Sequence, residues 1–202
     1  MPTVNTVDRF ERENMSKHEK SALIPPHGGY RELQSYQMAE IVFDGTAAFC
    51  NRFVDRRSRT NDQMVQAARS GKQNIAEGSM ASGTSKKTEL KLIGVARASL
   101  EELLIDFQDF LRQKQLPLWG KDHEQARKIR GLAHEKNRSY KTYEIYIEKS
   151  APETSANAMV CLIHQTNYLL DQQLRALEKA FLEEGGFTER LYRARTQARK
   201  KE

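Results

Sequence analysis

Cysteine, proline and tryptophan are scarce in this chain, and long apolar runs are missing. Among 202 residues there are two cysteines, five prolines and one tryptophan. Two cysteines cannot build the disulfide framework of a small secreted domain. Cys50 and Cys161 each lie among apolar residues in expected helices and read as reduced core thiols. With so few prolines, long helices go uninterrupted. No apolar run approaches the ~20 residues needed to span a bilayer, so no membrane role is expected. Met1 to Lys20 is polar, carries both charge signs and has no signal-type apolar segment, which makes a cytoplasmic location the expectation. Chemistry is equally sparse. The five histidines are scattered, and no Ser/His/Asp grouping or carboxylate pair stands out, so no catalytic residue, metal site or cofactor is assigned.

What is present is helix-forming sequence with mixed charge. Apolar residues make up 38% and charged residues 30%, a balance suited to one helix-rich domain with a real core. The formal net charge of +6 is uneven, because Phe187 to Glu202 holds six Lys/Arg against two Glu. A tail of that kind seeks phosphate or only keeps the chain soluble.

Residues 1–27 lack periodicity and are expected to be mobile, ending at Ile24-Pro25-Pro26-His27-Gly28-Gly29. From Arg31 to about Asp55, Tyr36, Ala39, Phe43, Ala47, Cys50 and Val54 recur at three- and four-residue steps, and Ile41, Val42, Phe49 and Phe53 widen that apolar face. Thr60 and Gln63 match a capping box opening a second helix, on which Met64, Ala67, Ala68, Gly71, Asn74, Ile75 and Gly78 share a small-residue face. Gly71 there predicts close approach by a neighbour. After a Ser82–Ser85 turn, Leu90, Ile93, Arg97, Leu100, Leu104, Phe107 and Leu111 mark a central third helix. Arg97 falls in its seam and needs a partner, for which Asn74, Glu77 and Glu101 are placed by position. Asn74, Glu77, Arg97 and Ser99 thus form an expected structural polar network.

Gln115 to Gly120 breaks the third helix. The segment 122–148 is weaker, interrupted at Lys136, and reads as one peripheral helix or two short ones. Ser150 and Glu153 suggest a capping box, with Pro152 in the first turn of a last strong helix that Gly185-Gly186 stops. The fold class is all-α: an antiparallel four-helix bundle over 28–186 with an additional peripheral helix, and a basic C-terminal extension over 187–202.

Gln63, Ala67-Ala68-Arg69-Ser70, Asn74-Ile75-Ala76-Glu77-Gly78 and Ala96-Arg97-Ala98-Ser99-Leu100-Glu101-Glu102 together carry a resemblance. The chain resembles the four-helix-bundle family of 23S rRNA intervening-sequence proteins and retroelement accessory variability proteins. The run from Cys161 through Asn167-Tyr168-Leu169-Leu170-Asp171 to Gly185-Gly186-Phe187 and Leu191 resembles the suffix of one branch. The resemblance implies a bundle that assembles into a homo-oligomeric ring, typically a pentamer, with nucleic-acid affinity and, for the retroelement members, a reverse transcriptase partner. It implies no catalytic residues. Gly71-Lys72 stands where the family often has Ile-Pro, and 122–148 looks like an insertion.

The basic residues carry the functional signal. Arg52, Arg56, Arg57 and Arg59 surround the first connection, while Lys86, Lys87 and Lys91 follow the second, at the opposite end of an antiparallel bundle. Arg127, Lys128, Arg130, Arg138 and Lys141 are interleaved with Tyr140, Tyr143 and Tyr146, a pattern that suits phosphate contact with base stacking or simply an amphipathic outer helix. Arg193, Arg195 and Arg199 lead the tail, with Arg190, Lys200 and Lys201. Gly78 to Lys86 lacks the Gly-Lys-Ser/Thr order of a phosphate loop and follows a helix. Cys161 and His164 are three apart but lack the further ligands zinc needs. The leading expectation is therefore a non-enzymatic homo-oligomeric scaffold binding RNA or DNA through basic surfaces. Its alternative is a protein-interaction adaptor that docks an enzyme such as a reverse transcriptase.

Overall fold

The structure, a computed structural model, describes residues 24–135 and 138–200. The expected mobile segment lies outside the described residues as far as residue 23, as do Lys136 and Lys201. Among the described residues all regular structure is helical. The helices are α1 (Gln34–Phe53), α2 (Arg59–Ala81), α3 (Lys86–Gln113), α4 (Glu124–Gly131), α5 (Tyr140–Ile147), α6 (Pro152–Glu184) and α7 (Phe187–Arg199). Short 3-10 turns occupy Tyr30–Glu32 and Leu132–His134. None of these helices is long and apolar enough to cross a membrane.

Local chemistry sets most of the boundaries. Ser85 caps α3, its hydroxyl accepting the Thr88 N–H at 3.1 Å, as the turn sequence predicts. At α2 the capping residue is Ser58 and not Thr60, since the Ser58 hydroxyl accepts the Thr60 N–H at 3.2 Å and the helix begins at Arg59. The Ser150–Glu153 capping box does not form. Ser150 instead donates to the Ile145 carbonyl at 2.9 Å, and Glu153 accepts the Trp119 indole N–H at 2.9 Å. Pro152 opens α6, where its missing N–H costs nothing. Gly185, at φ +75°, ends α6 in a conformation that glycine adopts without strain.

The neighbouring pairs are α1 with α2, α2 with α3, α3 with α6, and α6 with α1. Gly71 of α2 lies so close to α3 that a Cβ there would meet Leu100 Cγ at 2.7 Å. Ser35 near the start of α1 donates to Gln173 late in α6, while Arg52 near its end reaches the Ile147 and Ser150 carbonyls just before α6. Those two helices therefore run in opposite directions. Phe49 anchors the shared core, with ring centroids 4.8 Å from Phe107 and 4.9 Å from Phe110.

The segment 122–148 divides into α4 and α5. It contributes Ile129, Tyr143 and Ile147 to the buried core, so it is packed into the domain and not merely laid upon it. Its entry is pinned by Asn157 of α6, whose Oδ1 accepts the Trp119 backbone N–H at 2.8 Å and whose Nδ2 donates to Pro117 O at 2.9 Å. At the other end, Gly28 donates its N–H to Ser79 O at 3.1 Å and ties the Pro25–Gly29 stretch to the end of α2.

The polar network departs from its expected membership. Asn74 donates to Ser70 O at 2.9 Å and to its hydroxyl at 3.1 Å, and that hydroxyl meets Ser99 Oγ at 2.9 Å. Arg97 belongs to a separate group, bonding Glu101 Oε2 at 2.6 Å and Asp171 Oδ1 at 3.1 Å, while Asn167 donates to the same Glu101 oxygen at 3.2 Å. Glu77 is exposed and joins neither group.

Candidate nucleic-acid interface

Once folded, the basic residues have very different fates. Arg52 is spent structurally: its guanidinium donates to Ile147 O and to Ser150 O, and it lies 4.3 Å from the centroid of the Phe53 ring. Arg56, Arg57 and Arg59 remain exposed at the α1–α2 connection. At the other end of α2, Lys87 and Lys91 are exposed, whereas Lys86 is half-buried with its Nζ 3.8 Å from Glu89. Burial pushes the Glu89 carboxyl up, against the pull of Lys86. Because α2 separates these two groups by its whole length, they form no common patch within one chain.

The α4–α5 region departs furthest from the spacing-based expectation. Arg127, Lys128 and Lys141 are exposed, with Lys128 held 2.7 Å from Glu124. Tyr143 is fully buried, so it is a core side chain and not a stacking platform. Tyr140 gives its hydroxyl to Glu148 at 2.6 Å; burial first, then that bond, pushes its pKa up. Neither ring is free to meet a base.

Arg130 and Arg138 do converge. They line a cleft of about 500 Å³ bounded by the first turns of α1, the end of α4 with its 3-10 turn, and the middle of α6. Arg130 donates to the Lys121 carbonyl and Arg138 to the Ala133 carbonyl at 3.1 Å, so backbone groups hold both guanidiniums without neutralising them. His134 and His164 join the same wall, Met38 and Leu169 supply apolar surface, and no carboxylate lines the cleft. Tyr168, 64% exposed, stands beside it. His134, His164, Gln165 and Tyr168 were not singled out for this role by sequence. The available signal was the four-residue step from His164 to Tyr168, which interrupts the apolar pattern of α6 on its outer face.

Cys161 and His164 do not converge: Cys161 is buried, its thiol pushed up by burial although Arg130 lies nearby, whereas His164 is exposed. Among the described residues no group of three or more His, Cys, Asp or Glu is placed to hold a metal ion.

The basic tail is helical. In α7, Glu189 folds back to accept the Gly186 N–H at 2.9 Å, and Arg190 reaches the Gly83 carbonyl at 3.4 Å. No residue of α7 is buried. Tyr192, Arg195 and Arg199 follow at i, i+3 and i+7 and share one face, with Arg193 beside it; all four are exposed. The chain matches no family model, no curated protein and no solved structure.

Proposed function

We propose that this chain is a non-catalytic scaffold whose four long helices, α1, α2, α3 and α6, form an antiparallel four-helix bundle, and that copies of it assemble to bind nucleic acid. The observation that carries the reading is α7. A 13-residue helix whose residues are at most half-buried gains little from the core, and isolated helices of that length are marginal in water. Its exposed face instead alternates one aromatic ring with two guanidiniums, chemistry that suits a phosphate backbone and an unpaired base. Arg56, Arg57 and Arg59 offer a second cationic surface.

Self-assembly is supported by α3, where Val95, Ala98, Glu102 and Ile105 form an exposed stripe at three- and four-residue steps. Val95 is 40% and Ile105 52% exposed, and apolar surface repeated in that register suits a helix–helix contact. A pentameric ring of the kind made by the intervening-sequence and retroelement accessory proteins is the assembly that the sequence resemblance favours. Repetition of α7 around a ring would raise modest contacts to useful avidity.

A second reading has its own observation. Phe181 and Leu182, 37% and 76% exposed, lie on the last turns of α6 beyond Leu170, its last buried residue. An apolar edge beside a basic helix suits an adaptor docking a protein such as a reverse transcriptase. Light-scattering mass of the full chain, with anisotropy of labelled single-stranded RNA and duplex DNA across a salt series, separates the two. Oligomers that bind strands steeply weakened by salt support the scaffold; oligomers that ignore nucleic acid favour the adaptor, and a monomer overturns the assembly.

A further inference from the structure

We propose that the cleft between α1, α4 and α6 is a binding site for a single phosphorylated nucleoside, with its phosphate at Arg130 and Arg138 and its base against Tyr168. The inference goes beyond strand binding by α7 and does not depend on it.

Four observations converge on this ligand. The first is size. At about 500 Å³ the cleft far exceeds a bare inorganic anion and lies within the usual range of small-molecule sites, about 300–1,000 Å³. The second is charge. Two arginines and two histidines line it and no carboxylate does, so an entering anion meets arginine charge without a competing anion. Arg138 donates through Nη1 to Ala133 O and through Nε toward Met38 Sδ at 3.3 Å. These contacts orient its planar fork, and the Nη2 edge remains for bidentate or bridging contact with phosphate oxygens.

The third observation is an unmatched acceptor. Gln165 donates through Nε2 to the Arg130 carbonyl at 3.1 Å, which assigns the amide orientation, because the flipped form would set two oxygens against each other. Its Oε1 is then buried without a partner among the described residues. A buried acceptor left unpaired is unfavourable, and because the Gln165 residue lines the cleft, a small rotation of its amide presents that oxygen to an N–H donor bound there. Exocyclic amines of nucleobases are such donors; inorganic phosphate and simple carboxylates are not. The fourth is the apolar side of the cleft. Met38 and Leu169 lie there with the Tyr168 ring, which provides a planar, poorly hydrated surface for a base. A site built for an ion alone has no use for it.

The shared chemistry is that of a nucleoside monophosphate, whether free or as one unpaired nucleotide of a strand. The test is calorimetric titration of the full chain with AMP, adenosine and inorganic phosphate, with competition against a labelled single-stranded RNA. AMP should bind at least about tenfold more tightly than either fragment, since only AMP engages both the arginines and the ring. Tyr168→Ala, at an exposed position the fold does not need, should weaken AMP roughly five- to hundredfold, the range of one lost base–aromatic stack. Arg138→Gln should weaken it about tenfold or more through loss of charge-assisted bonds. If AMP displaces the RNA, the site reads a nucleotide within a strand; if AMP binds without displacing it, the ligand is the free nucleotide, and both results uphold the proposal. Failure of AMP to bind overturns it, and so does AMP binding unchanged in both variants. RNA binding that survives those results but is lost on charge reversal in α7 leaves the scaffold reading intact.

Discussion

Arg97 donates from Nε to Asp171 Oδ1 at 3.1 Å, a contact that fastens the middle of α3 to α6 across 74 residues of chain. Its second bond, from Nη1 to Glu101 at 2.6 Å, stays within α3, and Asn167 of α6 completes the group by donating to Glu101. With side-chain exposures of 29% for Arg97 and about half for its partners, the pair is partly screened by water and its worth must be discounted accordingly. Arg97→Leu should lower stability by about 1 kcal/mol, a fall of roughly 2–4 °C in Tm for a chain of this length. Thermal unfolding by circular dichroism reads it directly. An unchanged midpoint would mean that hydration replaces both bonds without loss.

Gly71 and Gly94 offer opposite tests of one substitution. A methyl group at Gly71 would fall 2.7 Å from Leu100, a fully buried side chain with no room to withdraw, whereas nothing lies within 4 Å of a Cβ at Gly94. Gly71→Ala should destabilise by about 1–2 kcal/mol, because overpacking exceeds the ~1 kcal/mol gained in helix propensity. Gly94→Ala should stabilise by up to ~1 kcal/mol. Matching signs in urea denaturation would refute this account of α2–α3 packing.

Asn157→Ala removes the amide that holds the Pro117–Trp119 entry to α4. Asn157 is 1% exposed and bonded through both side-chain atoms, so its loss leaves the Trp119 N–H and Pro117 carbonyl without partners. The expected cost is about 1–3 kcal/mol. Trp119 is the chain's single tryptophan, and its fluorescence should shift to longer wavelength as the ring leaves its contact with Glu153 and the stacked His123.

Burial pushes the Cys50 thiol up to about 12, with Asp106 adding to the effect, and its Sγ lies 3.9 Å from Met64 Sδ. The unfolded thiol ionises near ~8.5, so between that value and about 12 the folded state retains a proton that the unfolded state has lost. Stability should therefore be unaffected by this group below pH ~8 and should fall as pH rises through that window. Cys161 is also buried and raised in the same direction. Neither thiol should react with a disulfide reagent at pH 8 until denaturant is added; rapid labelling of the native protein would show that the core around them opens readily.

Charge reversal of Arg193, Arg195 and Arg199 to Glu should reduce strand binding and make the slope of log K against log salt shallower by about 2. The melting curve should hardly move, because no residue of α7 is buried. Undiminished affinity would remove α7 from the interface.

Much of the helix layout was legible because period and punctuation are local properties. The stripe from Ile93 to Leu111, the Ser85 cap and the Gly185 stop each act within a few residues. The two unformed capping boxes show the limit of that reading: Glu153 has a better use in bonding Trp119, a partner 34 residues away. The site was harder to read. Charge alone could not separate Arg52, consumed by carbonyls at the α5–α6 junction, from Arg130 and Arg138, which face a shared cleft.

By itself, then, the sequence determined that this chain is helical, where the main helices begin and end, and that its tail is basic, since each follows from residue type and short-range spacing. Only tertiary structure decided which charges are spent and which are free. A side chain's partners depend on which helices become neighbours, and Arg97 meeting Asp171, Tyr143 entering the core, and Gln165 coming beside Arg130 all depend on contacts between segments far apart in the chain.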